Sequence, residues 1–231
     1  MTISVPYYRK LTDIPGRRYA AGPAAQKLSR EARAVAFRSF AVDLDQENAV
    51  PCGFYRELSK TDTFVAAEYV VWKLYLDNRE YWLSVIARYY DITRDDAKVE
   101  ILKLHYGGRP SQDLPMLWAY ARELTLASSA LLGLPAYAYL KGLFTDRPNP
   151  AATRISYAVA AEEDRVLLEF EPFLLDKCPE VRVVAYMLDG LIVAPVNPHT
   201  NKIQDYDLEG TVKEFEVKTG IVVKQKQWGD A

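Results

Sequence analysis

Two aspartates occur in segments whose apolar character is typical of buried strands. Asp43 lies in the short apolar run at residues 40–44, and Asp189 precedes Gly190 between two apolar runs. Because a buried carboxylate is costly unless it is paired or binds a metal, two aspartates on adjacent strands could hold two Mg²⁺ ions for in-line phosphoryl transfer. Each alone also fits a structural role, since Asp-Gly is a common hairpin turn and Asp43 could cap a neighbouring element. Asp45 is expected to point to the opposite face of the strand and to be structural.

A second candidate site lies on one face of a helix. Four residues recur at every fourth position, a spacing that places them on one slowly drifting helix face. They are Arg94, Lys98, Leu102 and Tyr106. Cations beside the free N–H groups of a helix N-terminus favour phosphate binding, and an aromatic ring followed by Gly107 would offer a stacking surface for a base. An amphipathic helix with solvated basic residues would show the same pattern.

A third candidate is a basic segment near the start of the sequence. Residues 9–38 contain eight basic and two acidic residues, a local charge of +6, although the whole chain has a net charge of −2. The basic residues are Arg9, Lys10, Arg17, Arg18, Lys27, Arg30, Arg33 and Arg38. Such a run is either a solvated helical face or a strip that follows a phosphate backbone.

The helices and strands expected around these residues indicate an α+β fold with a small, mostly antiparallel sheet. Ser29 has the side chain of a helix N-cap, and Thr93 with Asp96 has the form of a capping box. Apolar runs on both sides of Asp189 and Gly190 predict a hairpin. Helices are predicted at residues 63–107, 115–145, 151–170 and 207–218, and strands at 40–44, 181–187, 191–194 and 221–224.

Composition excludes several other classes of protein. The 231 residues, 49% hydrophobic and 26% charged, are typical of a globular protein with one large domain or two small ones. No apolar run reaches the roughly 20 residues of a membrane helix. Two cysteines and two histidines do not suffice for a disulfide scaffold or a zinc finger. With no secretory signal visible, an intracellular location and no membrane partner are expected.

Four ordered blocks of the sequence resemble the polymerase core of family A DNA polymerases. Residues 16–28, from Gly-Arg-Arg to Gln-Lys-Leu, are similar to the family's "TGR…NLQ" segment, and residues 42–48 to motif A, "DYSQIE". Residues 94–107 are similar to the fingers motif R-x3-K-x3-F-x3-Y-G, and residues 186–190 to motif C, "HDE". Each block is short, so the specificity of the resemblance comes from their order.

The resemblance implies a division of the chain into polymerase subdomains. Residues 1–38 would form a basic arm for primer and template contact. Residues 39–60 and 146–231 would form the palm, and residues 61–145 the inserted helical fingers. The family's thumb precedes the first block, where this sequence has only about fifteen residues, so a minimal polymerase without a thumb is expected, with a partner protein or an oligomer in its place.

The resemblance also implies a role for each site residue. Two Mg²⁺ ions, for which Mn²⁺ could substitute, would be held by Asp43, Asp189 and the backbone carbonyl of Leu44, and Lys98 would protonate the leaving pyrophosphate. The nucleotide-binding residues would be Arg94, Lys98, Leu102, Tyr106 and Asn48. The nucleic-acid-binding residues would be Arg17, Gln26, Lys27, Arg30, Arg33 and Gly107.

The sequence departs from the family pattern at four positions of the four blocks. Leu102 replaces the fingers phenylalanine, Asn48 the motif A glutamate, and Leu188 and Gly190 the histidine and glutamate of motif C. The expected function is template-directed DNA polymerisation, in which dNTPs are added to a primer 3′-OH on a primer-template duplex. The departures keep two alternatives open: a primase-like or template-independent nucleotidyltransferase, and a catalytically dead palm that serves as a nucleic-acid-binding subunit.

Overall fold

A computed structural model of the protein describes residues 6–10, 14–21, 24–62 and 64–228, which form an α+β fold. The chain divides into two compact units. The sheet unit comprises Met1–Ala49 and Ala160–Ala231, and the helical unit comprises Val50–Val159. The sequence boundaries at residues 60 and 145 therefore differ from the structural ones by more than ten residues, and the described part of the arm belongs to the sheet unit.

Six strands lie in the described part of the sheet unit. They are β1 Tyr7–Tyr8, β2 Tyr19–Ala20, β3 Val42–Gln46, β4 Val181–Tyr186, β5 Gly190–Pro195 and β6 Val223–Lys226. β1 and β2, which the sequence did not predict, form a separate antiparallel pair. The other four form an antiparallel sheet in the order β4-β5-β3-β6, so β3 is an inner strand. β4 and β5 are the hairpin predicted around Asp189 and Gly190.

Eight α-helices complete the described architecture. They are α1 Arg30–Phe37, α2 Ala49–Ser59, α3 Val70–Asp77, α4 Arg79–Tyr90, α5 Arg94–His105, α6 Pro115–Gly133, α7 Pro150–Lys177 and α8 Leu208–Thr219. The predicted caps are confirmed, since Ser29 accepts from Ala32 N and Thr93 forms a capping box with Asp96. α7 runs seven residues beyond its predicted end and contains Pro172.

The two faces of the four-stranded sheet pack against different hydrophobic clusters. Val42 and Leu44 face one hydrophobic cluster, together with Phe170 of α7 and Phe215 of α8. The other face carries a smaller cluster around Ile192. Its further members are Ala25, Ala41, Ala185, Met187 and Ala194, with Phe37, Phe40 and Trp228 packed against them. Residues that directly oppose each other across an antiparallel pair share a face, so Asp43, which opposes Ile192, lies on the face of this smaller cluster.

The helical unit has a core rich in aromatic rings. Trp72, Tyr75 and Tyr120 are fully buried in it. His105 Nε2 lies 2.7 Å from the hydroxyl of Tyr120, and complete burial lowers the pKa of His105 to about 3. The buried carboxylate of Glu123 accepts hydrogen bonds from two backbone N–H groups at the start of α3. Among the described helices of both units, none is long and apolar enough to cross a membrane.

Candidate functional site

Three aspartates of the sheet unit form what we call the carboxylate cluster: Asp43, Asp45 and Asp189. β3 carries the first two, and the turn that enters β5 carries the third. Asp45 opposes Gly190 in the register of β3 and β5, and its carboxyl group interacts with that of Asp189. The negative charge of Asp189 also acts on Asp43. The sheet register therefore brings together groups that are about 145 residues apart in the sequence.

The expectation that Asp45 points away from Asp43 is wrong. Side chains alternate along a strand, so residues two positions apart share a face. Lys226 acts electrostatically on both aspartates, and its Nζ lies 2.5 Å from Asp45 Oδ2. Asp45 is therefore part of the cluster and not a residue of the opposite face.

Two oxygen atoms of the carboxylate cluster lack hydrogen-bond partners within the described part of the protein. Asp43 is 6% exposed, and the Oδ1 atoms of both Asp43 and Asp45 are buried without a hydrogen-bond partner among the described residues. Burial raises the pKa of Asp43, an effect that the charges of Lys226 and Arg33 oppose. Burial, followed by the charge of Asp189, raises the pKa of Asp45 to about 7. Unsatisfied carboxylate oxygens of this kind are costly, and they are the ligands that Mg²⁺ prefers.

Basic side chains stand beside the carboxylate cluster. Arg30 and Arg33 of α1 and Lys226 of β6 all act on Asp43. Arg30 is exposed and Arg33 half-buried, and the predicted phosphate contact Lys27 is exposed as well. Acidic groups with cations around them could bind a metal together with a phosphate chain.

Other basic residues of the arm are bound to acids of α7. Arg17 makes two hydrogen bonds to the carboxylate of Glu163, at 2.5 and 2.8 Å. Arg9 and Arg18 contact the carboxylate of Asp164 at 2.6 and 2.7 Å, and both acids are buried. The arm is thus not the free basic strip that one reading of its charge suggested. Its cations divide into a set that fastens the arm to α7 and a set that remains accessible.

Gln26 also has partners inside the protein. Its side-chain oxygen accepts from Ala20 N at 2.9 Å, and its Nε2 donates to the carbonyl of Arg18 at 2.8 Å and towards that of Tyr186 at 3.4 Å. These bonds fix the arm against the end of β4. A contact of Gln26 or Arg17 with a primer strand would compete with these internal bonds.

The predicted nucleotide-binding face of α5 is accessible. Lys98 is exposed, Leu102 and Tyr106 are partly exposed, and the opposite face is buried through Ala97 and Ile101. Arg94 is half-exposed, and its guanidinium makes hydrogen bonds of 2.6 and 2.8 Å to Glu80. Gly107 follows the helix with φ of +75°, a conformation that favours glycine.

Two predicted site residues lie in backbone environments that bear on their roles. The carbonyl of Leu44 points along the sheet towards β5, because a Cβ added at Gly190 would collide with its oxygen. This carbonyl is therefore directed along the hydrogen bonds between β3 and β5. The carboxylates are the stronger candidates for metal ligands. Asn48 lies in the turn between β3 and α2 with φ of +52°, a conformation that asparagine tolerates better than glutamate.

Asp45 and Lys226 are the site residues that sequence reasoning missed. The period of two in strands would have placed Asp45 beside Asp43. Lys226 gave no such signal, because the predicted last strand ended at residue 224 and the pairing of β6 with β3 depends on the whole sheet.

Comparison with known proteins found no relative of this chain by family model or by sequence. No protein-family model matches the chain, and no curated protein matches it in sequence. The functional assignment therefore depends on the carboxylate cluster, on its neighbouring cations and on the four sequence blocks.

Proposed function

We propose that the protein is a template-directed DNA polymerase of the family A type, with the sheet unit as palm and the helical unit as fingers. The observation that carries the proposal is the buried carboxylate of Asp43, with an unpartnered oxygen, on an inner strand beside Asp189. Motifs A and C of the resemblance are the two segments that contribute these aspartates. The helices α7 and α8 pack on the face that carries Val42 and Leu44, and the carboxylates lie on the other.

Asp43 and Asp189 would hold Mg²⁺, and their chemistry fits that group, because hard carboxylate oxygens bind hard cations. When bound, a pair of such ions supplies activation of the attacking 3′-hydroxyl and stabilisation of charge on the transferred phosphoryl group. The primer oxygen forms a bond to the α-phosphorus of a dNTP, and the bond from that phosphorus to pyrophosphate breaks.

The basic residues would act on the substrate itself. Lys98, exposed on α5, would bind the triphosphate and give a proton to the leaving pyrophosphate, and Arg94 would leave Glu80 to bind the same phosphates. Arg30 and Lys27, exposed on the sheet unit, would contact the phosphate backbone of the primer-template. Each phosphate contact of this kind adds to the salt dependence of binding.

Primer extension by metal-site variants tests the proposal. Asp43→Asn and Asp189→Asn should each lower turnover by orders of magnitude while leaving duplex affinity nearly unchanged, because the metal acts on the transition state. Asp176→Asn is the matched control, since Asp176 is an exposed acid of α7 in the same unit. Near wild-type extension by either metal-site variant would contradict the proposal. Extension without a template, or with rNTPs in preference to dNTPs, would favour the primase-like or template-independent alternative.

Gly190 favours one further candidate function. It stands where motif C has a glutamate, and a Cβ at this position would collide with Leu44 and Asp45. The alternative is a palm without catalysis that binds nucleic acid through Lys27, Arg30 and Arg33. A wild-type protein that binds duplex DNA but extends no primer with Mg²⁺ or Mn²⁺, and whose Asp43→Asn variant binds equally well, would establish this alternative.

A further inference from the structure

Asp45 has no role in the family resemblance, yet it is the cluster member in closest contact with Asp189. The resemblance aligns it with the serine of "DYSQIE", a residue without charge. In the structure its carboxyl group interacts with that of Asp189, and its Oδ1 is buried with no hydrogen-bond partner among the described residues. The side chain is 13% exposed. A second charged group has thus been added to β3 at the point where β3 meets the hairpin turn.

Gly190 explains the space that Asp45 occupies. A Cβ built on Gly190 would lie 2.9 Å from Asp45 Oδ1, a distance that real Cβ contacts do not reach. The same Cβ would come still closer to the backbone oxygen of Leu44, so the glutamate that the motif has at this position is excluded by the backbone of β3 as well as by the carboxyl group of Asp45. The hairpin thus lacks an acidic group at position 190, and β3 has one on the facing strand, at the same place beside Asp189.

Two observations indicate that a cation belongs at this place. Asp43, which is 6% exposed, lies two positions from Asp45 on the same face of β3, and its buried Oδ1 has no hydrogen-bond partner among the described residues. Lys226 brings its ammonium group to Asp45 at 2.5 Å, from the position opposite Asp43. The Lys226 side chain is 52% exposed, so its long stem can leave the cluster without disturbing a core.

We infer that Asp45 is a third carboxylate ligand of the cation site, supplied by β3 in place of the acidic residue that motif C lacks at Gly190. The described residues hold no three His, Cys, Asp or Glu side chains that already surround a common point. The inference therefore requires that a divalent cation displace Lys226 and draw the three carboxylates together. The cation belongs to the divalent, oxygen-seeking class, Mg²⁺ or Mn²⁺. The inference deepens the proposed function and rests on it.

Direct Mn²⁺ binding, measured by calorimetry and by the electron paramagnetic resonance of the free ion, tests this assignment independently of polymerase activity. The full chain is compared with Asp45→Ser, which installs the residue of the family motif, and with Asp45→Asn, which keeps the shape of the side chain. Asp43→Asn is the positive reference and Asp176→Asn the control. Far-ultraviolet circular dichroism of each variant verifies that the fold is retained.

Both Asp45 variants and Asp43→Asn should bind Mn²⁺ at least tenfold more weakly than wild type, and the control should bind normally. The rise in melting temperature that saturating Mn²⁺ gives the wild type should be lost in the same variants, because a ligand stabilises only the state that binds it. Wild-type affinity in a folded Asp45→Asn variant would overturn the inference, as would a wild-type protein that binds no Mn²⁺.

Primer extension on the same proteins separates this inference from the proposed function. A wild type that binds Mn²⁺ through Asp45 but extends no primer contradicts the polymerase assignment and supports the three-carboxylate site. A wild type that extends primers while Asp45→Asn binds Mn²⁺ normally supports the polymerase and overturns the role of Asp45.

Discussion

The two units of the protein treat buried polar groups in opposite ways. The sheet unit buries the acidic side chains of Asp43, Glu163 and Asp164 near arginine or lysine. The helical unit buries His105 and Glu123, the first beside a tyrosine hydroxyl and the second on backbone N–H groups. Burying an ion pair takes two charges out of water, which costs free energy even though the charges attract each other. The sheet unit therefore holds its buried acids with cations, whereas the helical unit uses a hydroxyl and backbone N–H groups and carries Arg94 and Lys98 on an exposed basic face of α5.

The largest difference between the units should appear when one arginine is removed from each. Arg17→Ala leaves Glu163 buried at 2% exposure without its bidentate partner, and breaking such a pair costs about 3–5 kcal/mol. Arg94→Ala breaks a pair of similar geometry with exposed Glu80, and a surface pair is worth about 0–1 kcal/mol. Urea unfolding of both variants measures the two costs. Equal costs would mean that the two units do not differ in the way proposed here.

The basic face of the helical unit should matter for catalysis and not for stability. Lys98→Ala removes one charge-assisted contact to the triphosphate, worth about 1.5–3 kcal/mol, which is roughly a 10- to 150-fold loss in kcat/KM for dNTP. Its unfolding free energy should change by less than about 0.5 kcal/mol, as is typical of surface substitutions. Steady-state primer extension gives the first value, and Lys73→Ala on α3 is the control. Unchanged kinetics would leave α5 as an ordinary amphipathic helix.

Glycines of the two units should respond differently to an added methyl group. Gly190→Ala forces a Cβ against Leu44 O and Asp45 Oδ1 in the sheet unit, and overpacking of this kind costs about 1–3 kcal/mol. Gly133→Ala at the end of α6 meets nothing within 4 Å, and such a change stabilises by about 0.4–1 kcal/mol through the unfolded state. Thermal melts of the two variants should therefore shift in opposite directions. A stable Gly190→Ala protein would show that β3 and β5 can separate at the carboxylate cluster.

The helical unit should show its own pH dependence. Burial lowers the pKa of His105 to about 3 in the folded protein, whereas an unfolded histidine titrates near 6.5. Below that value the unfolded state binds the extra proton, so stability is full above about pH 6.5 and falls on acidification by about 1.4 kcal/mol per pH unit. His105→Gln should remove this part of the slope between pH 6.5 and 5. His199→Gln, at an exposed position, should leave it unchanged, and equal slopes in both variants would contradict the prediction.

Local signals in the sequence were enough to predict local structure. Ser29, the capping box at Thr93 and the Asp189-Gly190 hairpin all depend on residues within a few positions of each other, and the structure confirms them. The carboxyl end of α7 was predicted seven residues too short, and the helix continues through Pro172 although proline disfavours a helix interior. The full burial of Leu174 in the sheet-unit core accounts for its continuation, since packing outweighs propensity.

The partners of the site residues could not be predicted, because they are distant in the sequence. Arg17 meets Glu163 across 146 positions and Gln26 meets Tyr186 across 160, and no local pattern encodes either pairing. Asp45 was a different case, since the alternation of a strand was sufficient to place it with Asp43. The arm thus shows that a run of basic residues does not reveal which of its charges remain free.

During synthesis, β3 leaves the ribosome well before the strands with which it pairs. β3 pairs with β5 and β6 on its two sides, and Asp45 opposes Gly190, which a ribosome adding about 5–20 residues per second reaches roughly 7–30 s later. Until then an inner strand of the sheet has two unpaired edges, which is an opportunity for association with other chains. Charged groups within a strand oppose such pairing. The same aspartates that make the folded sheet costly would therefore keep the unfinished chain from aggregating.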